Sequence, residues 1–393
     1  MRFIQADWVY PVSSAPIENG VVVLNDEGKI EDVLSQQASE NLGDKIEKHS
    51  GILCPGFVNT HCHLELSHLK GKLSEKKGLP QFVKEILAGR ESDSTTIQLA
   101  IKAADREMYS NGINLVGDIS NRTDSIVTKT ESQIQYYTFI ELFDILSTKT
   151  KQAFEEGVRL RKKFTEAGLA CSLVPHAPYT VTPELFAKIN DDIFSSLSTL
   201  SIHNQETVSE NMFFTDQAGK MFEVMSKVNP DLLSHPPKAE SALKYILTFL
   251  NSFSKLLLVH NTYTTVDDIK YVLESRKSIY WTICANANLY IEDKLPPIDL
   301  LDSMGAKLTI GTDSYASNWS LSVLDELKAI QNAFPEISLE KLIRWATYNG
   351  AEALRQTDKF GSLDKGKSPG ILLLSLMDNT DLKSGFKSVK RLA

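Results

Sequence analysis

Residues 51–67 read Gly51-Ile-Leu-Cys-Pro-Gly-Phe-Val-Asn-Thr-His61-Cys-His63-Leu-Glu-Leu-Ser67, a short apolar run that leads into two histidines. In an extended chain alternate side chains point to the same face, so we expect His61 and His63 to project together from a strand end. Two neutral imidazoles that converge in this way supply half of a tetrahedral site for a divalent metal ion. The alternative is one surface histidine beside one packed in the core. The metal site is favoured only if the rest of the chain supplies further ligands.

Downstream of this stretch, buried strands alternate with long amphipathic segments such as residues 96–108 and 151–163. The strands are predicted to end near eight residues: His61, Asp118, Glu141, Pro175, His203, His260, Cys284 and Gly311. About eight repeats of strand and helix favour a closed parallel (β/α)8 TIM barrel, of the α/β class, over an open sheet. In such a barrel the carboxyl ends of the strands form the active-site face.

The two ends of the chain differ from the middle, because they contain short strands and turns. The runs Val21-Val-Val-Leu24 and Ile371-Leu-Leu-Leu-Ser-Leu376 both lie next to turn-rich stretches. Neither end alone can bury a core, so we expect the two ends to fold together. The sequence therefore predicts a small β-domain from residues 1–55 plus 360–393 and a barrel domain from residues 56–359.

More histidines and carboxylates follow the predicted strands. His203 ends one strand and Glu206 comes shortly after it, so the imidazole can face an ion while the carboxylate reaches water. With Asp313 at the end of the last strand, the set becomes three imidazoles and one carboxylate, which leaves a catalytic ion one open position. A fifth ligand would crowd a single ion, so His260 is assigned to hydrogen bonding and charge stabilisation at the reacting centre. A helix cap for Asp313 and a structural role for His260 are the alternatives.

Composition narrows the functional classes. The formal net charge is −8, so no basic surface for nucleic acid is expected. The four cysteines form no Cys-x-x-Cys pair, which suits a reducing compartment. No apolar leader or long apolar run occurs, so neither secretion nor a membrane span is expected. We expect a cytoplasmic protein with a small-molecule substrate, and a homodimer stays open.

Two other motifs match only formally. Gly361-Ser-Leu-Asp-Lys-Gly366-Lys367-Ser368 has the spacing of a phosphate-binding loop. Such a loop lies between a strand and a helix, whereas a helical stretch precedes this one and a β-like run follows it. His63-Leu-Glu65 imitates half of the motif of zinc-dependent nucleobase deaminases, but the chain lacks the cysteine pair that completes it.

Taken in order, the motifs of the chain resemble the amidohydrolase superfamily, and within it the branch of deaminases and chlorohydrolases with one metal ion. The resemblance extends over about residues 50–375 and includes a tail at residues 346–354 and 361–367. Six motifs carry it: Pro55-Gly-Phe-Val-Asn-Thr-His61-Cys-His63, His176-Ala-Pro-Tyr-Thr180, His203-Asn-Gln-Glu206, His260-Asn261, Cys284-Ala-Asn-Ala-Asn288 and Gly311-Thr-Asp313-Ser314.

The resemblance implies a distorted (β/α)8 barrel with a flanking β-sandwich built from both termini. It also implies that Glu206 moves protons, that His260 polarises the attacking water or holds the leaving group, and that His176 contacts substrate. One zinc ion, or alternatively iron, would be held by four residues: His61, His63, His203 and Asp313.

Three positions depart from the motifs of this branch. Ala285 and Ala287 stand where proline and serine are usual, and Trp319 stands where a smaller polar residue is common. We expect these residues near the mouth of the pocket, where they would affect the choice of substrate more than the binding of the ion.

The activity implied is hydrolytic deamination, in which an ion-activated hydroxide attacks the amine-bearing carbon and ammonia leaves. Glu206 would shuttle the protons, while Asp313 and His260 stabilise the developing charge. The His176 motif is similar to those of adenosine, S-adenosylhomocysteine and aminodeoxyfutalosine deaminases, so an adenine nucleoside is the first expectation for the substrate.

Three more residues are assigned to the substrate: Asn288, Glu141 and Arg122. Glu141 and Arg122 could read a substrate hydroxyl or carboxylate, and an ion-pair role at the barrel rim explains them equally well. Two other functions stay open. The same centre could hydrolyse a guanine or cytosine amine, a triazine chloride or a cyclic amide, or the chain could bind a ligand without turnover.

Overall fold

The N-terminal part of the chain consists of short strands joined by turns. The structure is a computed structural model that describes residues 1–196, 198–250, 255–275 and 277–393. The first seven strands are β1 (Arg2–Gln5), β2 (Trp8–Val9), β3 (Ile17–Glu18), β4 (Val21–Leu24), β5 (Ile30–Leu34), β6 (Ile46–Lys48) and β7 (Ile52–Pro55). Four of them form a sheet in the order β5-β4-β1-β6.

Eight parallel strands form the middle of the molecule. They are β8 (Phe57–Cys62), β9 (Ile113–Ser120), β10 (Gln135–Leu142), β11 (Ala170–Pro175), β12 (Thr199–Asn204), β13 (Lys255–His260), β14 (Ile279–Ile283) and β15 (Leu308–Ile310). Each ends within two residues of its predicted end. The strands are almost wholly buried, as parallel strands covered on both faces must be. They pair as two four-stranded sheets, in the orders β11-β10-β9-β8 and β12-β13-β14-β15.

The two sheets close into a barrel along two seams. At the first seam the backbone amides of Thr312 and Asp313 both donate to the carbonyl oxygen of His61, each at 3.0 Å. At the second seam the amide of His203 donates to the carbonyl oxygen of His176 at 2.9 Å. The prediction of a distorted parallel barrel is confirmed, and these two seams are the place of its distortion.

Helices cover the barrel and fill several of its loops. They are α1 (Leu79–Gly89), α2 (Ser94–Ser110), α3 (Ile126–Glu131), α4 (Thr150–Glu166), α5 (Pro183–Ser196), α6 (Val208–Thr215), α7 (Gly219–Val228), α8 (Ala242–Leu247), α9 (Val266–Glu274), α10 (Ala285–Glu292), α11 (Ile298–Ser303), α12 (Val323–Ala333), α13 (Leu339–Arg344) and α14 (Gly350–Ala353). The predicted helical segments lie within α2 and α4. Across the described ranges, no helix combines the length and apolar character needed to cross a membrane.

After α14 the chain returns to the flanking β-structure through β16 (Ile371–Leu376) and β17 (Phe386–Arg391). β16 pairs antiparallel with β7, which completes the five-stranded sheet β17-β16-β7-β2-β3. Side chains from both ends of the chain, among them Ile4, Leu53 and Ile371, pack into one apolar cluster. The small β-domain built from both termini is therefore confirmed, while its predicted boundaries at residues 55 and 360 stay a prediction.

A fully buried ion pair lies in the barrel wall between Lys129 and Asp118, whose Nζ and Oδ2 atoms are 2.6 Å apart. The ammonium also donates to Oγ of Ser120 at 3.1 Å and to Oγ1 of Thr138 at 3.0 Å, so all three of its protons have partners. On its other oxygen the carboxylate accepts the amide of Leu64 at 2.7 Å. The pair thereby ties the backbone that follows the two opening histidines to β9.

Replacing Lys129 with Met keeps most of the volume but leaves the Asp118 carboxylate buried without a counter-charge. We expect K129M to lower the free energy of unfolding by about 3–5 kcal/mol, as loss of one partner of a buried pair does. Urea denaturation followed by circular dichroism measures this change. Lys102→Met is the matched control, because Lys102 is half exposed and forms a long ion pair of 3.8 Å with the exposed Glu131. Equal unfolding midpoints for the two variants would contradict the role of the buried pair.

Candidate metal centre

The four residues predicted as metal ligands meet at the carboxyl ends of β8, β12 and β15. Nε2 of His63 lies 3.1 Å from Nε2 of His61 and 3.3 Å from Nε2 of His203. Oδ1 of Asp313 lies 3.4 Å from Nε2 of both His61 and His63. Tetrahedral ligands held about 2.0–2.1 Å from one ion stand about 3.3–3.4 Å from one another. These four separations therefore match those of ligands around one divalent ion, and His61 and His203 also place ligand atoms within 4.8 Å of one another.

A backbone contact decides which nitrogen of His203 can bind an ion. Its Nδ1 lies 2.9 Å from the carbonyl oxygen of His176, to which it donates, so Nε2 is left for the ion. Glu141, His176 and His203 also place potential ligand atoms within 4.8 Å of one another. Because Nδ1 of His203 is already used, this second group does not form a separate metal site.

The backbone adopts left-handed conformations beside the site. Gln205, His260 and Asp313 have φ angles of 48°, 75° and 55°. Residues other than glycine rarely adopt such angles, and the surrounding structure must stabilise them. Each of these residues lies at a strand end or just beyond one. The sharp turns therefore occur where the polar side chains of the candidate site leave the strands.

Burial lowers the pKa of several histidines at or beside the site. It lowers the pKa of His203 to about 3 and the pKa of both His176 and His260 to about 4. Burial alone would raise the pKa of Asp313, but the hydrogen bond with His61 and the nearby imidazoles hold that pKa well below its ordinary value. Neutral imidazoles and an ionised carboxylate are the forms that bind a metal ion. The chemistry of His203 and Asp313 thus agrees with their geometry.

Glu206 and His260 face each other next to the four ligands. Oε1 of Glu206 lies 3.7 Å from Nε2 of His260, and both side chains are buried. Glu210 accepts the amides of Gln205 and Glu206 at 2.7 Å and 3.0 Å, so it fixes the turn that presents Glu206. Burial raises the pKa of Glu206 well above its ordinary value. A carboxyl group with a raised pKa is suited to accept and return a proton.

The residues assigned to substrate lie in three different settings. The ring of His176 is 5.0 Å from that of His203 and donates or accepts at Oγ1 of Thr180, 2.7 Å away. Glu141 is buried, and its carboxylate oxygen lies 3.5 Å from Nδ1 of His203. Both residues therefore stand beside the metal ligands.

Asn288 and Arg122 contact other parts of the protein. Asn288 is only 1% exposed and donates to Oγ1 of Thr262. Oδ1 of Asn288 and Nδ1 of His260 are both buried without a hydrogen-bond partner in the described part of the chain. Arg122 forms an ion pair with Glu91 in which both side chains are exposed. This contact is an ion pair of the kind that the sequence left open as the alternative role for Arg122. A role for Asn288 or Arg122 in substrate binding stays a prediction.

The three departures from the family motifs differ in exposure. Ala285 and Ala287 are fully buried at the start of α10. Trp319 is 47% exposed, lies against the ring of Tyr290 and donates to Glu75 at 3.0 Å. The location of all three near the mouth of the pocket stays a prediction.

Three polar residues near the site, Glu65, Arg90 and Asn121, were not predicted from the sequence. Glu65 is buried, receives the Arg90 guanidinium and accepts the amide of Asn121 at 2.9 Å. Glu65 follows His63 closely and Asn121 directly follows β9. Glu65 and Asn121 each show the pattern that identified the other candidates, which is a polar residue just after a strand. Arg90 shows no such local pattern.

Comparison with known proteins assigns the family. The profile of the amidohydrolase family matches residues 52–391, so this chain belongs to that family. The chain is 26% identical over 309 residues to the adenosine deaminase of Helicobacter pylori, a match that covers 78% of this chain and 75% of that protein. It is 24% identical over 383 residues to the 5-methylthioadenosine/S-adenosylhomocysteine deaminase of Moorella thermoacetica, covering 94% and 84% of the two chains.

Solved structures support the same fold. The Helicobacter pylori aminofutalosine deaminase in complex with methylthio-coformycin superposes with a TM-score of 0.84 at 22% identity, and the match covers 100% of both chains. An adenosine deaminase from Xanthomonas campestris with bound zinc has a TM-score of 0.76 at 19% identity, covering 99% of this chain and 91% of that one. The named relatives are hydrolases that act on carbon–nitrogen bonds outside peptides, and this chain belongs to the same class of metal-binding enzymes.

Exchanging His203 for Asn removes one donor of the metal centre without a large change of volume. We expect the metal content of purified and dialysed H203N to fall more than about tenfold, since even outer-shell losses weaken metal binding by about 10–100-fold. Elemental analysis of the protein measures this. The control is His235→Asn, which makes the same exchange at an exposed histidine. Full metal content in H203N would remove His203 from the ligand set.

Proposed function

We propose that this chain is a metal-dependent deaminase that hydrolyses the amine of an adenosine-type substrate and releases ammonia. The observation that carries the proposal is the pairing of Glu206 with His260 at 3.7 Å beside four converging ligand atoms. A site that only binds metal has no need of a buried carboxyl group with a raised pKa next to the ligands. The deaminases among its relatives support the substrate class.

The proposed ligand set is His61, His63, His203 and Asp313, and the ion is zinc, with iron as the alternative. Imidazole and carboxylate donors suit either ion. The zinc bound by the similar adenosine deaminase favours zinc. When bound, such an ion acts as a Lewis acid and lowers the pKa of a water molecule to about 7.

Glu206 is the proposed proton carrier. Water replaces the amine of the substrate, so a proton must leave the water and protons must reach a ring nitrogen and the departing ammonia. Oε1 of Glu206 is positioned to take up the first proton and pass it on, because burial makes its protonated form readily accessible. The neutral imidazole of His260 then supplies a hydrogen bond to the oxygen or the leaving amine.

His176 and Glu141 are proposed to contact the substrate. The ring of His176 lies 5.0 Å from the ring of the proposed ligand His203, and the buried Glu141 offers a carboxylate oxygen that has no hydrogen-bond partner in the described part of the chain. An acceptor of this kind suits a hydroxyl or amine of the substrate. The cytoplasmic location, the lack of a nucleic-acid partner and a homodimer stay predictions.

The second candidate function is hydrolysis of a different bond at the same centre, such as a guanine amine or a triazine chloride. The proposed ligands and Glu206 would serve all of these reactions equally well. A test therefore uses a panel of aminated purines, pyrimidines, nucleosides and triazines, with ammonia and chloride release measured on protein of known metal content. We expect ammonia from adenine nucleosides at the highest kcat/KM. If the fully metallated protein released no ammonia from any adenine nucleoside, the proposal would be overturned.

Exchanging Glu206 for Gln keeps the size of the side chain and removes its ability to carry a proton. We expect E206Q to lower kcat by about 10²–10⁴-fold, the usual contribution of a general acid–base group, and to retain its metal. Steady-state ammonia release and elemental analysis on one sample separate the two effects. Glu223→Gln, at an exposed position of α7, is the matched control. An E206Q protein as active as E223Q would exclude Glu206 as the proton carrier.

A further inference from the structure

A fully buried glutamine directly precedes the proposed proton carrier. Gln205 lies between the proposed ligand His203 and Glu206, and its φ of 48° turns the chain sharply there. A primary amide is unfavourable to bury unless its donors and acceptors find partners. The partners of the Gln205 side chain therefore determine how firmly the backbone beside Glu206 is held.

All four hydrogen-bonding positions of the Gln205 amide are used. Nε2 donates to Oδ1 of Asn211 at 3.1 Å and to Oδ2 of Asp268 at 2.9 Å. Oε1 accepts Oγ1 of Thr264 at 2.7 Å and Nδ2 of Asn204 at 3.3 Å. An amide group has two donors and two acceptor lone pairs, so this side chain is saturated. Its orientation is also fixed, because the reverse one would turn its oxygen towards the Asp268 carboxylate.

The four partners come from the two segments that carry the proposed reacting side chains. Two of them belong to β12 and α6, which flank Glu206. The other two belong to α9 and the turn before it, which follow His260. The Gln205 amide therefore cross-links the segment of Glu206 to the segment of His260. An apolar side chain of the same size would fill this space without these contacts, so packing alone does not explain the amide.

Backbone hydrogen bonds join the same two segments. At the ends of β12 and β13 the amide of Asn261 donates to the carbonyl oxygen of Asn204 at 2.9 Å. Further along, the amide of Tyr263 donates to the carbonyl oxygen of Gln205 at 3.0 Å, and Nδ2 of Asn211 donates to the carbonyl oxygen of Tyr263 at 3.1 Å. The two turns therefore stay paired after the strands end, and the Gln205 side chain completes this pairing.

We propose that Gln205 is a positioning residue that sets the separation between the Glu206 carboxyl group and the His260 imidazole. The inference rests on the proposed function, in which these two side chains act on the same substrate. Because Gln205 is buried and its amide is saturated, it acts through the backbone and not on the substrate. Its four hydrogen bonds keep the turn from rotating, and Oε1 of Glu206 thereby stays 3.7 Å from Nε2 of His260.

The first test removes the cross-link while keeping most of the side-chain volume. The Gln205→Met variant lacks all four hydrogen bonds. We expect Q205M to lower kcat about 10²-fold on the adenine nucleoside that the wild type deaminates fastest, since a misplacement of about 1 Å can cost this much. KM should change less than about threefold and metal content should not change, because Gln205 acts on the chemical step alone. A kcat equal to that of the wild-type holoenzyme would overturn the inference.

Ser241→Ala is the matched control, because it weakens the same network on the side remote from Gln205. Oγ of Ser241 donates to Oδ1 of Asp268 at 2.5 Å and accepts the amide of Lys244 at 3.1 Å, as the cap of α8. Loss of these contacts should lower the unfolding temperature about as much as Q205M does, while kcat stays within about twofold of the wild type. If S241A lost as much kcat as Q205M, any damage to the network would suffice and the inference would fail.

Thr264→Val is a milder variant that decides the question if Q205M does not fold. It keeps the shape of a buried side chain and removes one hydrogen bond, from Oγ1 of Thr264 to Oε1 of Gln205. We expect T264V to lower kcat about three- to tenfold with little change in KM, as the loss of one hydrogen bond does. A folded T264V with the kcat of the wild type would overturn the inference.

A double mutant separates the positioning of Glu206 from general support of the fold. If Gln205 acts through Glu206, its amide should matter little once the carboxyl group is gone. We therefore expect Q205M/E206Q to retain a kcat within about threefold of E206Q alone, although Q205M by itself costs about 10²-fold. If Q205M lowered kcat by the same factor in both backgrounds, Gln205 would act independently of Glu206 and the inference would be wrong.

These outcomes separate the inference from the proposed function. If E206Q loses activity and Q205M does not, the inference alone is overturned. If Q205M loses its metal ion, Gln205 supports the proposed ligand His203 rather than Glu206, and the inference also fails. If the wild-type holoenzyme releases no ammonia from any adenine nucleoside, the proposed function is overturned and the inference falls with it.

Discussion

The molecule depends on one backbone oxygen, the carbonyl of His61, which accepts the amides of both Thr312 and Asp313 at 3.0 Å. These two hydrogen bonds close the barrel between its first and last parallel strands, which pair through a single bridge beyond the end of β15. They also bring the carboxylate of Asp313 next to the imidazoles of β8. Gly311 makes this approach feasible, since a Cβ there would lie 2.9 Å from the Cβ of His61. The contacts that close the barrel are thus the ones that bring the predicted ligands together.

The contacts at the second seam also both close the barrel and place a predicted ligand. The carbonyl oxygen of His176 accepts both the backbone amide and the ring Nδ1 of His203, so pairing of the two half-sheets fixes one ligand's tautomer and orientation. Nε2 of His203 is thereby left to face Nε2 of His63, 3.3 Å away, which in turn lies 3.1 Å from Nε2 of His61. A cation bound by these nitrogens would join the two half-sheets, so metal binding and closure of the barrel would support each other.

The sequence predicted the parts of the structure that depend on local pattern. Strand ends and helices followed from periodicity, and polar residues at strand ends such as His63, His203 and Asp313 were selected because parallel strands share one edge. Direction and burial of side chains in the loops depend on packing between distant segments, and local pattern contains little of that information. The sequence did not indicate that Ala287 is fully buried, or that Arg90 reaches the buried Glu65 from a distant part of the chain.

The division between strands and loops also separates the predicted metal ligands from the polar residues around them. The proposed ligands and His260 lie at the ends of strands or just beyond them, positions that the paired backbone of the barrel fixes. Arg90, Glu65 and Asn121 come instead from the loops that follow the first two barrel strands, where Glu65 receives the Arg90 guanidinium and accepts the Asn121 amide. Loops tolerate replacement because their conformation stabilises little of the core. Changes in these loops can therefore leave the backbone that places the predicted ligands unaltered.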